Sequence, residues 1–270
     1  MHSTVKHPAA EALSCLLISW QHQLFPENLT RVETSTLAGS MFIHLQQLLK
    51  PDLSMEIGAF QADYSKKMRL LFPRIHVAAF EASPDVYRHF KRREQFHKRN
   101  IAYLNLAVAD INGMASFNLI EENAGLSMRN SLMDRTDLPA QSVSVPAITG
   151  DAFVREHPAG NIALWIDVEG AQEKVLTGFR ESLERQSVAS LFIEVEQGSL
   201  WRGQWSDSET IGYLLRFGYV PVLCDAESYA PENQKNQYNI IFARAADIND
   251  QFIAFMLEGY KRIIKAMRAE

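Results

Sequence analysis

Short apolar segments that carry an acidic residue near their end alternate, from residue 53 onward, with segments of helical composition. Apolar runs of this length predict strands, and their alternation with helices is typical of a mostly parallel sheet covered on both faces. The sequence therefore predicts an α/β, Rossmann-like, doubly wound fold. The main strands are predicted at residues 53–57, 75–81, 101–109, 161–170, 190–196, 219–224 and 238–243.

Two further segments, 114–119 and 142–147, alternate like strands between the third and fourth main strands. The polar residues 121–139 between them predict a long loop of the kind that lies over an active site.

Amphipathic segments flank the predicted sheet on both sides. Apolar residues recur at helical spacing in 9–25, 36–50 and 247–267, which predicts two helices before the sheet and one after it. The last helix is expected to pack on the sheet domain or against the partner in a homodimer. The predicted units are an N-terminal helical cap at 1–51, a sheet domain at 52–246 and a C-terminal helix at 247–270.

Charge and cysteine content exclude several classes of protein. The 270 residues carry a net charge of −5, which offers no overall attraction for nucleic acid. Six basic residues lie within 88–99, and without an aromatic platform between them they indicate a solvated helix face. Two cysteines without metal or redox spacing favour a reducing, cytoplasmic location. No apolar segment is long enough to predict a membrane span.

The first predicted strand ends in a tight turn that opens into a helix. Gly58 lets the backbone turn, and helical composition begins near Gln61. Such a turn leaves backbone N–H groups free at the helix start, beside the carboxylate of Glu56. A dinucleotide site needs G-x-G-x-x-G, but Ala59 and Ala62 stand where further glycines belong. The turn therefore favours a smaller, adenosine-containing ligand, with a purely structural turn as an equal alternative on these residues alone.

Carboxylates lie at the ends of four predicted strands, at Glu56, Glu81, Asp167 and Glu194. In an open α/β sheet the ligand crevice lies outside the carboxyl ends of the strands, so these side chains should meet in one region. Buried carboxylates repel one another unless donors or cations face them, and a ligand with hydroxyl, ammonium and sulfonium groups supplies both. An acid at the end of the second strand is the usual acceptor for a ribose diol, which makes Glu81 the predicted ribose ligand.

The most specific motif is WIDVEGAQ at residues 165–172, followed by Val175, Leu176 and Gly178. It resembles the K-I-D-V-E-G-A-E signature, with its V-L-x-G continuation, of the FkbM family of class I S-adenosylmethionine-dependent methyltransferases. The resemblance extends over residues 52–244. It is supported by EIGA at 56–59, FEASP at 80–84, AVAD at 107–110 with Gly113, and FIEV at 192–195.

Four positions depart from the family pattern. Trp165 replaces a lysine, Gln172 the second glutamate, Ala62 the second glycine and Glu56 an aspartate. Glu56 keeps the charge, so it retains an acceptor for the amino group of the cofactor. The resemblance implies the class I methyltransferase fold, with a mostly parallel seven-stranded sheet, helices on both faces, and S-adenosyl-L-methionine as cofactor.

The resemblance also implies which residues bind this cofactor. Glu56 would hold the ammonium group, and Glu81 would accept hydrogen bonds from the ribose. The implied cofactor-binding residues are Glu56, Gly58 and Ala59 at the methionine end, Glu81, Ala82 and Ser83 at the ribose, Ala109 and Asp110 beside adenine, and Asp167 near the reacting methyl group.

Methyl transfer is an in-line displacement, so the enzyme mainly aligns the acceptor, the methyl carbon and the leaving sulfur. A hydroxyl acceptor must also lose its proton as the bond forms. Asp167 and Glu194 are the candidate bases, and His44 is a weaker one. The resemblance implies a hydroxyl of a sugar, a glycan or a secondary metabolite as the acceptor.

Several alternatives stay open on the sequence alone. Asp167 and Glu194 on adjacent strands suit a shared divalent cation, although no spacing requires one and no metal is predicted. A nicotinamide-dependent oxidoreductase shares the acidic strand ends but needs the missing glycines. A methyltransferase-like binding module without turnover is compatible with the missing lysine and glycine. Trp201 and Trp205 offer either a platform for a sugar ring or packing against the sheet edge.

Overall fold

A computed structural model describes residues 31–120, 126–135, 137–197, 200–225 and 236–269. The predicted helix at 9–25 lies outside these residues. The helices are α1 (Arg31–Leu49), α2 (Asp63–Leu71), α3 (Pro84–Glu94), α4 (Gly150–Glu156), α5 (Gln172–Gly178), α6 (Arg180–Glu184), α7 (Asp207–Arg216) and α8 (Asp250–Met267), with short 3₁₀ helices at Phe96–Arg99 and Ala245–Asp247.

Ten strands form two sheets in the described residues. They are β1 (Leu53–Ile57), β2 (His76–Phe80), β3 (Ala102–Leu104), β4 (Ala107–Val108), β5 (Gly113–Ile120), β6 (Ala140–Ile148), β7 (Ile162–Ile166), β8 (Val188–Gln197), β9 (Tyr219–Cys224) and β10 (Asn236–Arg244). The main sheet has seven strands in the order β3-β2-β1-β7-β8-β10-β9, and a second sheet has the order β4-β6-β5. Only β10 runs antiparallel to its neighbours in the main sheet. The predicted mostly parallel α/β sheet is therefore confirmed.

The predicted helix 36–50 is the larger part of α1, which packs on the main sheet beside α8. Leu37, Met41 and Phe42 of α1 share one buried cluster with Phe252 and Met256 of α8 and with side chains of β8 and β10. Burying these apolar side chains together is what fixes α1 and α8 on this face. In the structure α8 thus packs on its own chain, and a homodimer contact stays a prediction.

The predicted strand 101–109 is wrong as a single element, because the chain divides it between the two sheets. β3 belongs to the main sheet and β4 to the small one. Between them, the side-chain amide of Asn105 donates hydrogen bonds to the carbonyl oxygens of Glu81, at 2.9 Å, and Ala82, at 3.1 Å. These bonds hold the chain against the end of β2 while it turns toward the second sheet.

Hydrogen bonds beyond the strand ends bring the carboxyl ends of β1, β2 and β7 together. The N–H groups of Gly58 and Ala59 donate to the carbonyl oxygen of Phe80, at 3.0 and 2.9 Å, and the N–H of Asp167 donates to Ile57 at 2.9 Å. The residues that follow these three strands therefore share one edge of the sheet. Among the described helices, none combines the length and the hydropathy needed to cross a bilayer.

Candidate active site

A cavity of about 190 Å³, here called the first cavity, lies over this edge of the sheet. Its floor contains Gly58 and Asp167 from the ends of β1 and β7, and Glu81 stands beside them at the end of β2. One wall is apolar and comes from the β2 end, α3 and the small sheet. That wall contains Phe80, Ala82, Val86, Leu106, Ala107, Val108 and Phe117.

Glu81 is buried at the wall of the first cavity, with 7% of its surface exposed. Its two carboxylate oxygens accept hydrogen bonds from the N–H groups of Ser83, at 2.7 Å, and Phe60, at 2.9 Å. Burial raises the pKa of Glu81 to about 7, against the lowering effect of these two bonds, and the charge of Asp167 raises it further. Each carboxylate oxygen has a second lone pair, so a donor in the cavity would complete its hydrogen bonding.

Three carboxylates meet on the other side of the first cavity. One oxygen each of Asp167, Glu169 and Glu194 lies within 4.8 Å of the others, and all three side chains are partly exposed. The structure therefore brings both predicted bases, Asp167 and Glu194, into the same cavity as Glu81. Carboxylates at this spacing suit the removal of a proton or the binding of a cation.

A second cavity of about 280 Å³ adjoins the first and is formed where α1 crosses the loop between β1 and α2. Gly58, Phe60, Met128 and Asp167 line both cavities. The rest of the second cavity is lined by Ser35, Thr36, Gly39 and Ile43 of α1, and by Glu56, Ala59, Gln61, Asp63, Tyr64, Lys67 and Trp165.

Glu56 faces the start of α2. Its carboxylate oxygens accept hydrogen bonds from the N–H groups of Ser65, at 2.7 Å, and Tyr64, at 3.3 Å. Burial raises its pKa to about 7, although the bonds from Ser65 and Tyr64 lower it. Glu56 therefore caps α2, and the expectation of free N–H groups at this helix start is wrong for Tyr64 and Ser65. A contact between Glu56 and an ammonium group stays a prediction.

The two residues predicted beside adenine, Ala109 and Asp110, do not line the first cavity. Ala109 is buried, and its carbonyl oxygen lies against Gly178, where an added Cβ would be 2.0 Å from it. Asp110 is exposed. Neither residue lines the first cavity, and the preceding residues Leu106 to Val108 do so instead. The reason is the break after β3, which turns the end of this segment toward α5.

Ser83 supports Glu81 and does not line either cavity. It is the N-cap of α3, where its hydroxyl accepts a hydrogen bond from the N–H of Val86 at 3.4 Å, and its own N–H holds the Glu81 carboxylate. Pro84 follows it in the first turn of the helix. Ala82 lines the first cavity and Ala59 the second.

His44 lies between α1 and α8, away from both cavities. Its ring stacks on Phe255 at 4.1 Å, and its nitrogens bond to the carbonyl oxygen of Phe255, at 3.1 Å, and to the guanidinium of Arg262, at 2.9 Å. Burial lowers its pKa. Since both ring nitrogens serve this helix contact, the prediction of His44 as a base is wrong.

The loop predicted over the site contributes residues that the sequence did not single out. Ser127, Met128, Asn130 and Leu132 line the first cavity. The loop is held by Ser131, whose hydroxyl donates to the carbonyl oxygen of Glu169 at 2.6 Å and whose backbone pairs with Asn118 of β5. The polar composition indicated a loop here, but no motif marked which residues face the site.

The tryptophans near the site serve packing. Trp201 is fully buried against Gly170, where an added Cβ would lie 2.3 Å from the ring, and this favours the packing alternative over a sugar platform. Trp165, in place of the family's lysine, stacks on Phe192 at 3.7 Å and on Tyr64 at 4.8 Å. It forms part of the floor of the second cavity.

Comparison with known families decides what this site belongs to. The model of the methyltransferase FkbM domain matches residues 56–221, which include every strand end that lines the two cavities. The chain belongs to the FkbM methyltransferase family. Its fold is the Rossmann-like class I methyltransferase fold, and its cofactor is S-adenosylmethionine. The alternative of a nicotinamide-dependent oxidoreductase is therefore not supported.

Solved structures show only distant likeness. A precorrin-6y C5,15-methyltransferase from Geobacter metallireducens GS-15 is 13% identical, with a TM-score of 0.40 over 76% of this chain and 86% of that one. An rRNA methylase from Streptococcus thermophilus is 10% identical, with a TM-score of 0.43 over 81% and 99%. The methyltransferase FkbM from Methylobacillus flagellatus KT is 14% identical, with a TM-score of 0.38 over 70% and 43%. No curated protein matches the sequence.

The residues of this FkbM methyltransferase fit the nucleoside part of the cofactor. The buried Glu81 carboxylate has remaining lone pairs toward the first cavity, and a ribose diol is a pair of donors at matching spacing. The apolar wall beyond it suits the faces of a purine. Glu81 would therefore hold the ribose, and Leu106 and Val108 would contact adenine.

We expect the affinity for S-adenosylhomocysteine to rise with pH up to about 7 and then to level off. Burial raises the pKa of Glu81 to about 7, and hydroxyl donors favour its ionised form. Binding below this pKa must therefore release a proton, and the dissociation constant should fall by up to about tenfold for each pH unit. Calorimetric titrations between about pH 5.5 and 8 measure this, with Glu81→Gln as the control that should lose the dependence. An affinity independent of pH in the parent would contradict the assignment.

Proposed function

We propose that this FkbM methyltransferase transfers the methyl group to a hydroxyl of a sugar, a glycan or a secondary metabolite. The observation that carries the proposal is the position of Asp167, which lies at the junction of the two cavities with Glu169 and Glu194 beside it. A neutral hydroxyl becomes a good nucleophile only as its proton leaves, and a carboxylate within hydrogen-bond reach accepts it.

S-Adenosylmethionine supplies, when bound, a methyl group on a positively charged sulfur. The chain itself has three tasks around it. Glu81 fixes the ribose and so sets the direction in which the donor extends. The loop residues Met128 and Leu132 line the first cavity and add apolar surface beside the reacting atoms. A carboxylate oxygen of Asp167 accepts the proton of the acceptor hydroxyl, and Glu194 is the second candidate for this step.

The sugar or secondary-metabolite acceptor rests mainly on the family resemblance. Polar groups at the first cavity, Ser127 and Asn130, suit an acceptor with several hydroxyls. Because the ring of Trp201 is buried, no support comes from an aromatic platform at that position. A cytoplasmic location and a homodimer also remain proposals from the sequence.

We expect Asp167→Asn to lower kcat by about 100-fold or more, since general-base catalysis contributes on this scale. The amide keeps the size of the side chain but cannot accept the proton. Purified protein is incubated with S-adenosylmethionine and a panel of glycans and hydroxylated metabolites, and mass spectrometry detects the added methyl group. Affinity for S-adenosylhomocysteine is measured alongside to separate chemistry from donor binding.

Glu194→Gln is the matched comparison, because it removes the other candidate base from the same cavity. A large loss with Asp167→Asn and a small one with Glu194→Gln would assign the base to Asp167. Full activity in both variants would refute a carboxylate base. Methyl transfer to amines alone, or donor binding without transfer to any member of the panel, would count against O-methylation, and the latter would favour a binding module.

A further inference from the structure

The second cavity offers a place for the part of the donor that the first cavity leaves unassigned. It shares Gly58, Phe60 and Asp167 with the first cavity, so the two cavities are neighbours at these residues. S-Adenosylmethionine is longer than its nucleoside and ends in an ammonium and a carboxylate. This end needs both an anionic and a cationic partner.

Most backbone N–H groups from Gly58 to Ser65 are already bonded within the protein. The N–H groups of Gly58 and Ala59 donate to Phe80, and that of Phe60 to Glu81. The N–H of Ala62 donates to the carbonyl oxygen of Ala59, and those of Tyr64 and Ser65 to Glu56. These six donors are committed to the protein, and Glu56 takes the N–H groups of Tyr64 and Ser65 in the first turn of α2.

Lys67 is the cationic side chain among the residues that line the second cavity. It is exposed on α2, one residue after Lys66, which forms ion pairs with Asp63 at 2.7 Å and Glu94 at 3.4 Å. In the described part of the chain Lys67 takes part in none of the ion pairs found. The exposed Asp63 lines the same cavity and is an acid available on its wall for an ammonium.

The family resemblance already implies that the amino-acid end of the donor lies beside Glu56, Gly58 and Ala59, which line the second cavity. We infer that the Lys67 ammonium, in the same cavity, pairs with the carboxylate at this end of the donor. Asp63 faces the donor ammonium, and the hydroxyls of Ser35 and Thr36 bring α1 into the donor site. The role of α1 is then more than that of a cap, because it forms one wall of this pocket. The inference rests on the same donor as the proposed function and assigns a residue that the family motifs do not contain.

The test compares two ligands that differ only at this end. S-Adenosylhomocysteine and 5′-methylthioadenosine share the adenosine and the thioether sulfur, but methylthioadenosine lacks the amino-acid end. Calorimetry should show that Lys67→Met lowers the affinity for S-adenosylhomocysteine by about 10- to 100-fold, the range for a hydrogen bond between charged groups. The affinity for methylthioadenosine should stay unchanged. Lys67→Arg should restore most of the affinity.

Lys91→Met is the matched control, because Lys91 is an exposed lysine on α3 that lies over the ring of Tyr87 and lines neither cavity. It should bind both ligands like the parent. Thr36→Trp tests the wall contributed by α1, since an indole there would fill the cavity and should weaken S-adenosylhomocysteine selectively.

Unchanged S-adenosylhomocysteine affinity in Lys67→Met, or an equal loss for both ligands, would overturn the inference. If the parent protein binds neither ligand, both the inference and the assignment of S-adenosylmethionine as the donor are refuted. The ligand comparison needs no acceptor, so it tests the role of Lys67 independently of O-methylation. If Lys67→Met selectively weakens S-adenosylhomocysteine but the enzyme methylates an atom other than oxygen, only the proposed function is refuted.

Discussion

Replacing Glu81 by alanine should lower the affinity for S-adenosylhomocysteine by about 100-fold or more. Two hydrogen bonds from ribose hydroxyls to a carboxylate are lost, and each is worth about 1.5–3 kcal/mol when one partner is charged. The N–H groups of Phe60 and Ser83 also lose their acceptor, which loosens the turn that lines the cavity. Thermal-shift titration should show the stabilisation by this ligand abolished, and calorimetry gives the affinity.

Asp110→Ala is the control for this experiment. Asp110 was predicted beside adenine but is exposed and lines neither cavity, so the variant should bind like the parent. Glu81→Ala should weaken methylthioadenosine as well, since both ligands carry the diol, whereas Lys67→Met should weaken only the longer one. Circular dichroism confirms that each variant is folded. Binding of Glu81→Ala at parental strength would show that the ribose lies elsewhere.

The position of the acids was predictable because it depends on strand periodicity and on one rule of α/β sheets. Each acid follows a short apolar run, and parallel strands end at the same edge. The sequence therefore indicated that Glu81, Asp167 and Glu194 would share a cavity, as the structure shows. The order of the motifs along the chain indicated the family, which no single acidic residue identifies.

The sequence could not predict which groups each carboxylate binds, because its partners in the fold are distant in sequence. Glu56 and Glu81 both follow buried strand residues, yet Glu56 caps α2 and Glu81 faces the first cavity. The difference comes from where α2 begins, because the N–H groups of its first turn lie beside Glu56. His44 was misjudged for the same reason, since its partners lie on α8, more than two hundred residues away.

The wall that α1 contributes to the second cavity had no sequence signal. It exists because α1 crosses close to the sheet at Gly39, where an added Cβ would be 3.2 Å from the ring of Trp165. At position 165 the lysine of the family is replaced by Trp165, which packs under α1. The spacing of the motifs describes only the strand ends, so a pocket made by a preceding helix is visible only in three dimensions.

Gly58→Ala should destabilise the protein by about 2–5 kcal/mol. Gly58 has φ +80°, and a Cβ there would lie 1.7 Å from the carbonyl oxygen of Asp167. The left-handed backbone costs about 1–2 kcal/mol for a residue with a side chain, and forcing β1 and β7 apart adds about 1–3 kcal/mol. At about 2–4 °C for each kcal/mol, thermal unfolding monitored by circular dichroism should show a Tm lower by about 5–20 °C.

Gly203→Ala separates the two causes of this loss. Gly203 has a similar φ of +74°, but an added Cβ would meet no atom within 4 Å, so this variant should lose only the backbone part, about 1–2 kcal/mol. The difference between the two variants then measures how tightly the ends of β1 and β7 are pressed together. Because that contact also holds Asp167 between the two cavities, any folded Gly58→Ala protein should bind S-adenosylhomocysteine weakly. Equal destabilisation by both substitutions would show that the close approach of Gly58 to Asp167 does not constrain the site.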